Sequence, residues 1–266
     1  MEGGINNHLK GIAAELFIKR DSAERKKINI SIDNIFYKLE DYFHDTINEL
    51  KVFGSYTRDT ILPRVFDPHS DIDILIQFNT NKYQKLKPES YRSQLKKFSE
   101  IHYPNSLIAK DHPSVVIELH HIKFDLVPSI FDEGWIYDSV EIPDKDGGWQ
   151  ETKPDKFDKK VTKANKEYNS IVKPIIRLLK YWNATHGYPF FSYELESAVA
   201  EMDFNNDNYE SGFLYAIKEL SVYDLPDWAE RKVDALKDNG KWIKEYLARE
   251  DTRKAKEVIT RILPGF

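Results

Sequence analysis

The chain has 266 residues and no cysteine, which excludes disulfide scaffolds and cysteine-ligated zinc sites. With 41% hydrophobic residues it can build a sizeable core, in one large domain or two small ones. A net charge of −5 argues against coating long nucleic acid by electrostatics alone, although a local basic patch stays open. The mean hydropathy of −0.60, the short apolar runs and an N-terminus unlike a signal peptide lead us to expect a cytoplasmic protein without a membrane partner.

Ile5, Leu9, Ile12, Ala13, Leu16 and Phe17 recur at helical spacing, which predicts a helix over about 5–19. A second helix is expected from about Ser22 to Phe43, with Asp21 or Ser22 as N-cap and an apolar stripe running from Ile28 to Phe43. A strand near Leu50–Phe53 leads into Gly54-Ser55. A second strand carries Asp71 and Asp73 and ends near Phe78. Asn79 to Pro88 reads as a polar loop and Tyr91–Ile101 as a helix.

In the second strand Asp71 and Asp73 share one face, roughly 6.6 Å apart along the chain, while Ile72 and Ile74 take the other. Two such carboxylates repel unless a cation lies between them, and oxygen-only ligands favour Mg²⁺ or Mn²⁺ with substrate phosphates. The Gly54-Ser55 turn offers backbone N–H groups and a hydroxyl to those phosphates. Alone, an Asp-x-Asp is often a solvated strand face and a Gly-Ser merely a turn. Together, with Arg58 and Thr60 between them, they point to phosphoryl or nucleotidyl transfer. The arrangement resembles the signature of the DNA polymerase β-like nucleotidyltransferase superfamily.

Ser114–Leu119 and Ile122–Val127 read as a hairpin or closely spaced strands around His120-His121, a polar turn or a pair that touches substrate, with the turn favoured. Asp125 points away from the face of Ile122, Phe124 and Leu126. It is either an exposed strand acid or the third member of a carboxylate cluster for two metal ions; the Asp71/Asp73 pair favours the second. Pro143–Pro154 reads as a connection rich in Gly, Pro and charge, after which the sequence is helical. Lys156–Lys166 is lysine-dense, as a solvated face or an RNA or phosphate patch. Ile171–Trp182 and Phe190–Ala200 are apolar helices, followed by helices near Phe213–Leu220, Trp228–Leu236, Trp242–Arg249 and Thr252–Leu263.

The run RLLKYWN followed by FFSYELE resembles the helical half of the CD-NTases. These include animal cyclic GMP-AMP synthase, oligoadenylate synthetase and bacterial relatives in anti-phage systems. The resemblance implies an α+β fold, a polymerase β-like core sheet with a helical domain, bilobal with a central cleft. The domains would be 1–150 and 151–266, with the N-terminal helices packing on the helical half and the nucleotide in the cleft. It implies an enzyme that joins NTPs into a cyclic or linear oligonucleotide second messenger, read by a downstream effector. Asp71, Asp73 and Asp125 would hold two Mg²⁺ (or Mn²⁺) ions. Gly54, Ser55, Arg58, Lys180 and Ser192 would meet the triphosphate, and Tyr193 would stack on a base. Lys180 could otherwise snorkel to the surface and Tyr193 lie in the core. The absence of cysteine removes the zinc ribbon by which the animal enzyme grips DNA, so nucleic-acid activation is not expected, and a monomer is. Still open are transfer of a nucleotide to tRNA, protein or a small molecule, and nucleotide binding without turnover.

Overall fold

The computed structural model describes residues 4–133 and 138–266. In chain order the elements are α1 (Ile5–Glu15), α2 (Ala23–Phe43), β1 (Ile47–Phe53), β2 (Asp71–Phe78), α3 (Pro88–His102), β3 (Leu107–Asp111), β4 (Ser114–Glu118), β5 (Lys123–Glu133), β6 (Asp138–Pro143) and β7 (Trp149–Thr152). There follow α4 (Pro154–Glu167), α5 (Val172–Thr185), α6 (Ser192–Ala200), α7 (Tyr209–Glu219), α8 (Asp227–Ala248) and α9 (Thr252–Ile262). This is the mixed α+β architecture expected from the sequence. Among the described residues no helix is long and apolar enough to cross a membrane.

The chain divides into two compact units. The first contains Lys19–Thr57 and His69–Asp158, and its sheet runs β1-β2-β5-β4-β3, with β6 paired to the far half of β5 and β7 to β6. Among the described residues only β2 and β5 pair in parallel, and every other pair is antiparallel. The period-2 pattern fixes the faces: Ile72, Ile74, Ile76, Phe124 and Leu126 are fully buried. Phe78 shares the face of Ile72 and packs on Phe43 of α2 and Tyr91 of α3, with ring centroids 5.5 and 4.3 Å apart. The acids of β2 therefore lie on the face opposite these two helices. Each large aliphatic side chain buried here stabilises the platform by about 1.5–3 kcal/mol.

The second unit contains α1, the segment Arg58–Pro68 and Lys159–Phe266. The Arg177 guanidinium of α5 explains why these pieces cohere. It donates to the Asp59 carbonyl at 2.9 Å and, over longer contacts, to the Ala13 carbonyl of α1. Of the two N-terminal helices only α1 packs here; α2 belongs to the sheet unit.

Several boundaries differ from the sequence reading. The first helix stops at Glu15. Ser22 is the N-cap of α2, accepting from the Arg25 N–H. The stretch read as a connection contains β7 and the end of β6, whose polar, partly exposed residues hide their pairing. Two helices expected on either side of Gly240 are one, α8. That glycine is buried against Ile217, where an added Cβ would lie 3.2 Å from a methyl group, so close packing places it there and no break is required.

Candidate active site

β1 delivers its last residue, Phe53, opposite Asp73 of β2, and Gly54 follows immediately with φ +80°. A side chain at Gly54 would force Asp73 to move: a Cβ there would stand 1.9 Å from Asp73 Oδ2. Tyr56, two residues on, is buried, with its hydroxyl hydrogen-bonded to Asn29 and the Arg25 guanidinium 3.7 Å over its ring. Both partners come from α2, which thus anchors the turn. Ser55 lies half-buried between Gly54 and Tyr56. The Thr57 hydroxyl is 2.8 Å from both the Gly54 carbonyl and an Asp158 carboxylate oxygen, so its one proton serves one acceptor at a time.

On the other side of β2, the parallel register sets Asp73 opposite Asp125 and Asp71 opposite Lys123. Three carboxylates thus lie on two adjacent strands, as the sequence pattern anticipates. The fourth member of the group, Lys123, is one the sequence reading missed, although it stands two residues before Asp125 on the same strand face. Its ammonium is 3.1 Å from Asp71 Oδ2 and 3.3 Å from Asp125 Oδ1. Burial opposes the Lys123 charge, but Asp71 and Asp125 outweigh it and raise its pKa above the ordinary ammonium value. Burial and the Asp71 charge push the Asp125 carboxyl up to about 6, against the opposing pull of Lys123 and Ser114. The Ser114 hydroxyl of β4 is 3.0 Å from both Asp125 Oδ2 and the Asp111 carbonyl, so its one proton serves one acceptor at a time, whereas Asp125 Oδ1 is buried with no hydrogen bond of good geometry, only the ion-pair contact with Lys123.

These residues fit a hard divalent cation in donor chemistry: all the ligands are oxygens, one buried carboxylate oxygen lacks a hydrogen bond, and a protein cation already stands between two of the acids. As they stand, no group of three or more acidic or histidine side chains among the described residues is gathered into a metal cage.

In the helical unit, Arg58 and Lys180 meet at one buried carboxylate. Glu196 of α6 accepts from Arg58 Nε at 2.9 Å, from Thr60 Oγ1 at 2.8 Å and from Lys180 Nζ at 3.0 Å. Burial would raise the Glu196 pKa, but Lys180 and Arg58 reverse the effect and hold it below the ordinary value. Lys180 is only 6% exposed and is turned to Glu196, so it does not snorkel to the surface. Ser192 opens α6 and is exposed; Tyr193 beside it is 60% exposed, which removes the core-aromatic reading. Glu196 was also missed. Its signal was the second of two acids in α6, Glu196, which lies on the buried face with Leu195, Val199 and Ala200, whereas Glu194 is exposed.

A family model described as the Second Messenger Oligonucleotide or Dinucleotide Synthetase domain, SMODS, matches residues 4–165, more than half of the chain. The chain belongs to that family. The match takes in Gly54, Asp71, Asp73 and Asp125 and ends before Lys180, Ser192 and Tyr193. Among curated relatives, this SMODS chain is 29% identical over 102 residues to a probable cyclic nucleotide synthase of Bacillus cereus, covering 38% of the chain and 30% of the relative. It is 24% identical over 197 residues to the CBASS oligonucleotide cyclase CdnC of Escherichia coli, covering 67% and 60%. The aligned stretches thus span less than two thirds of either relative. In fold it is similar to the Bradyrhizobium diazoefficiens CD-NTase CdnG, solved with GTP: TM-score 0.70, 13% identity, 97% of this chain and 98% of that one.

Proposed function

We propose that the protein is a nucleotidyltransferase that joins NTPs into a cyclic or linear oligonucleotide second messenger in bacterial anti-phage signalling. The observation that carries this reading is the register of β1, β2 and β5, which lines up the Gly54 turn, Asp73 and Asp125 across three adjacent strands with Asp71 two residues away. Relatives named as a cyclic nucleotide synthase and a CBASS oligonucleotide cyclase, and a CD-NTase of the same fold solved with GTP, support it.

In this reading Asp71, Asp73 and Asp125 would hold two Mg²⁺ or Mn²⁺ ions, which when bound would supply concentrated positive charge for a triphosphate and its acceptor hydroxyl. The chain's own residues do the rest. The bare Gly54 backbone lets a phosphate approach where any side chain would clash, and Ser55 offers a hydroxyl and an N–H beside it. Arg58, Lys180 and Ser192 are assigned to the triphosphate and the exposed Tyr193 ring to a base, for which a flat aromatic face suffices. Lys180 would then share its ammonium between Glu196 and phosphate. In the reaction a ribose hydroxyl oxygen bonds to the α-phosphorus, the bond to the β-phosphate bridge breaks, pyrophosphate leaves with that electron pair, and the hydroxyl proton passes to solvent. Positioning and charge supply the rate. We assign nucleotidyl transfer to the sheet unit and nucleotide holding to the helical unit, which takes in α1 and Arg58–Pro68, in a cytoplasmic monomer whose product is sensed by a separate effector.

The test is incubation with Mg²⁺ or Mn²⁺ and all four NTPs, then phosphatase digestion and mass spectrometry. A phosphatase-resistant di- or trinucleotide is expected. Labelling of added RNA or protein would replace this reading with nucleotide transfer to a macromolecule, and absence of any product would replace it with nucleotide binding alone.

A further inference from the structure

Lys123 has no role in the reaction described above, yet it is placed against the carboxylates assigned to it. Register sets it directly across from Asp71, and strand period sets it on the same face as Asp125, two residues on. Its ammonium contacts a carboxylate oxygen of each, at 3.1 and 3.3 Å, and its side chain is only 16% exposed. We propose that Lys123 is an internal counter-cation for the acid cluster, occupying the metal position between Asp71 and Asp125 when no divalent ion is bound and competing with that ion for the same oxygens.

The proposal rests on the metal-ligand reading of Asp71, Asp73 and Asp125 and adds to it a residue that sets the affinity. Three carboxylates on two adjacent strands need a positive charge if the fold is to persist without metal. Lys123 supplies one from within the chain. A divalent ion offers twice the charge at shorter oxygen distances, so it can displace the ammonium, whose flexible four-carbon stem lets the head withdraw without moving β5. Asp125 Oδ2 faces the Ser114 hydroxyl and Oδ1 faces Lys123, so Oδ1 is the oxygen passed from lysine to ion. Lys123 is therefore a positioning residue: it holds Asp71 and Asp125 in place and makes metal binding weaker than three carboxylates alone would give.

The test uses the whole chain without nucleotide. Mn²⁺ affinity is measured by titration calorimetry on the native protein, Lys123→Met and Lys123→Arg, with melting in EDTA alongside. Lys123→Met removes the competing charge and keeps the apolar stem. It should bind Mn²⁺ about tenfold more tightly or better and melt lower in EDTA, with Mn²⁺ restoring the loss. Lys123→Arg keeps the charge and should stay within a few fold of native. Equal or weaker Mn²⁺ binding by Lys123→Met, or no saturable binding by either protein, overturns the proposal. Should Lys123→Met fail to fold, the native protein with ¹³Cε-labelled lysine answers the question. The signal absent from Lys123→Arg should shift when Mg²⁺ is added, and a static signal overturns the proposal. The parent reading fails separately, when the native protein makes no nucleotide product or Asp73→Asn makes as much as native. Product that forms and depends on Asp73, with Mn²⁺ affinity indifferent to Lys123, refutes the lysine role alone.

Discussion

Gly54 and Asp73 touch so closely that the turn and the acid cannot be varied independently: a Cβ on Gly54 would sit 1.9 Å from Asp73 Oδ2. Gly54→Ala must therefore move the Asp73 carboxylate, and it also places an L side chain at φ +80°. The backbone penalty is about 1–3 kcal/mol. The expected outcome is loss of nucleotide product by at least about a hundredfold, with a melting temperature lower by a few degrees. Product yield and thermal melting check it; near-native values of both would show that Asp73 can yield without consequence.

Glu196 tests the buried charge cluster. Glu196→Ala leaves Arg58 and Lys180 buried without their carboxylate, which should cost about 3–5 kcal/mol in denaturant unfolding. Glu196→Ala combined with Lys180→Met should recover part of that loss, because the second change removes the Lys180 charge that had been paired with Glu196. A double variant less stable than the sum of the singles would contradict the pairing.

The same residue sets an acid limit. The folded-state pKa of Glu196 lies below its unfolded value, burial being outweighed by Lys180 and Arg58. Its stabilising contribution is therefore complete above the unfolded value of about 4.3 and is lost as pH falls through the folded value. Native protein should lose stability across that acid window more steeply than Glu196→Gln. Parallel pH–stability curves for the two proteins would remove the ion pair from the acid sensitivity.

Tyr193 is exposed, so its role separates cleanly from packing. Tyr193→Ala should leave melting within about a degree, since exposed truncations cost little. Nucleotide affinity should fall by about 1–3 kcal/mol, with Tyr193→Phe far milder. Lys180→Ala is expected to weaken ATP binding more than AMP binding, and also to destabilise the protein by leaving Glu196 short of a partner. Equal losses for ATP and AMP would confine Lys180 to the buried cluster.

Much of this site was legible because strands encode faces. The period of two placed Asp71 and Asp73 together, and the alternation of Phe124 and Leu126 placed Asp125 outward. What the alternation could not give was the pairing partner of β2, and hence the register that puts Lys123 opposite Asp71. Long-range register is set by the crossover through α3, β3 and β4, not by local pattern. Lys180 illustrates a different gap. A lysine in an apolar helix announces an anion, but the anion in the structure is Glu196, sixteen residues later, and no local period links the two. The strands β6 and β7 and the unbroken α8 were missed because Gly and Pro mark breaks only where packing does not require them.

The central claim, that the acids of β2 and β5 serve nucleotidyl transfer, is tested most directly by comparing native protein with Asp73→Asn and Asp125→Asn. Each is incubated with Mg²⁺ and NTPs, its products are identified by mass spectrometry, and its melting is recorded in EDTA. Native protein should yield a phosphatase-resistant oligonucleotide and pyrophosphate, and both variants should lose that product. Asp73→Asn should melt at or above the native temperature in EDTA, because it relieves like-charge repulsion, whereas Asp125→Asn also takes a partner from Lys123 and is judged on product alone. Full activity in either variant, or a marked drop in the melting temperature of Asp73→Asn in EDTA, would contradict the account.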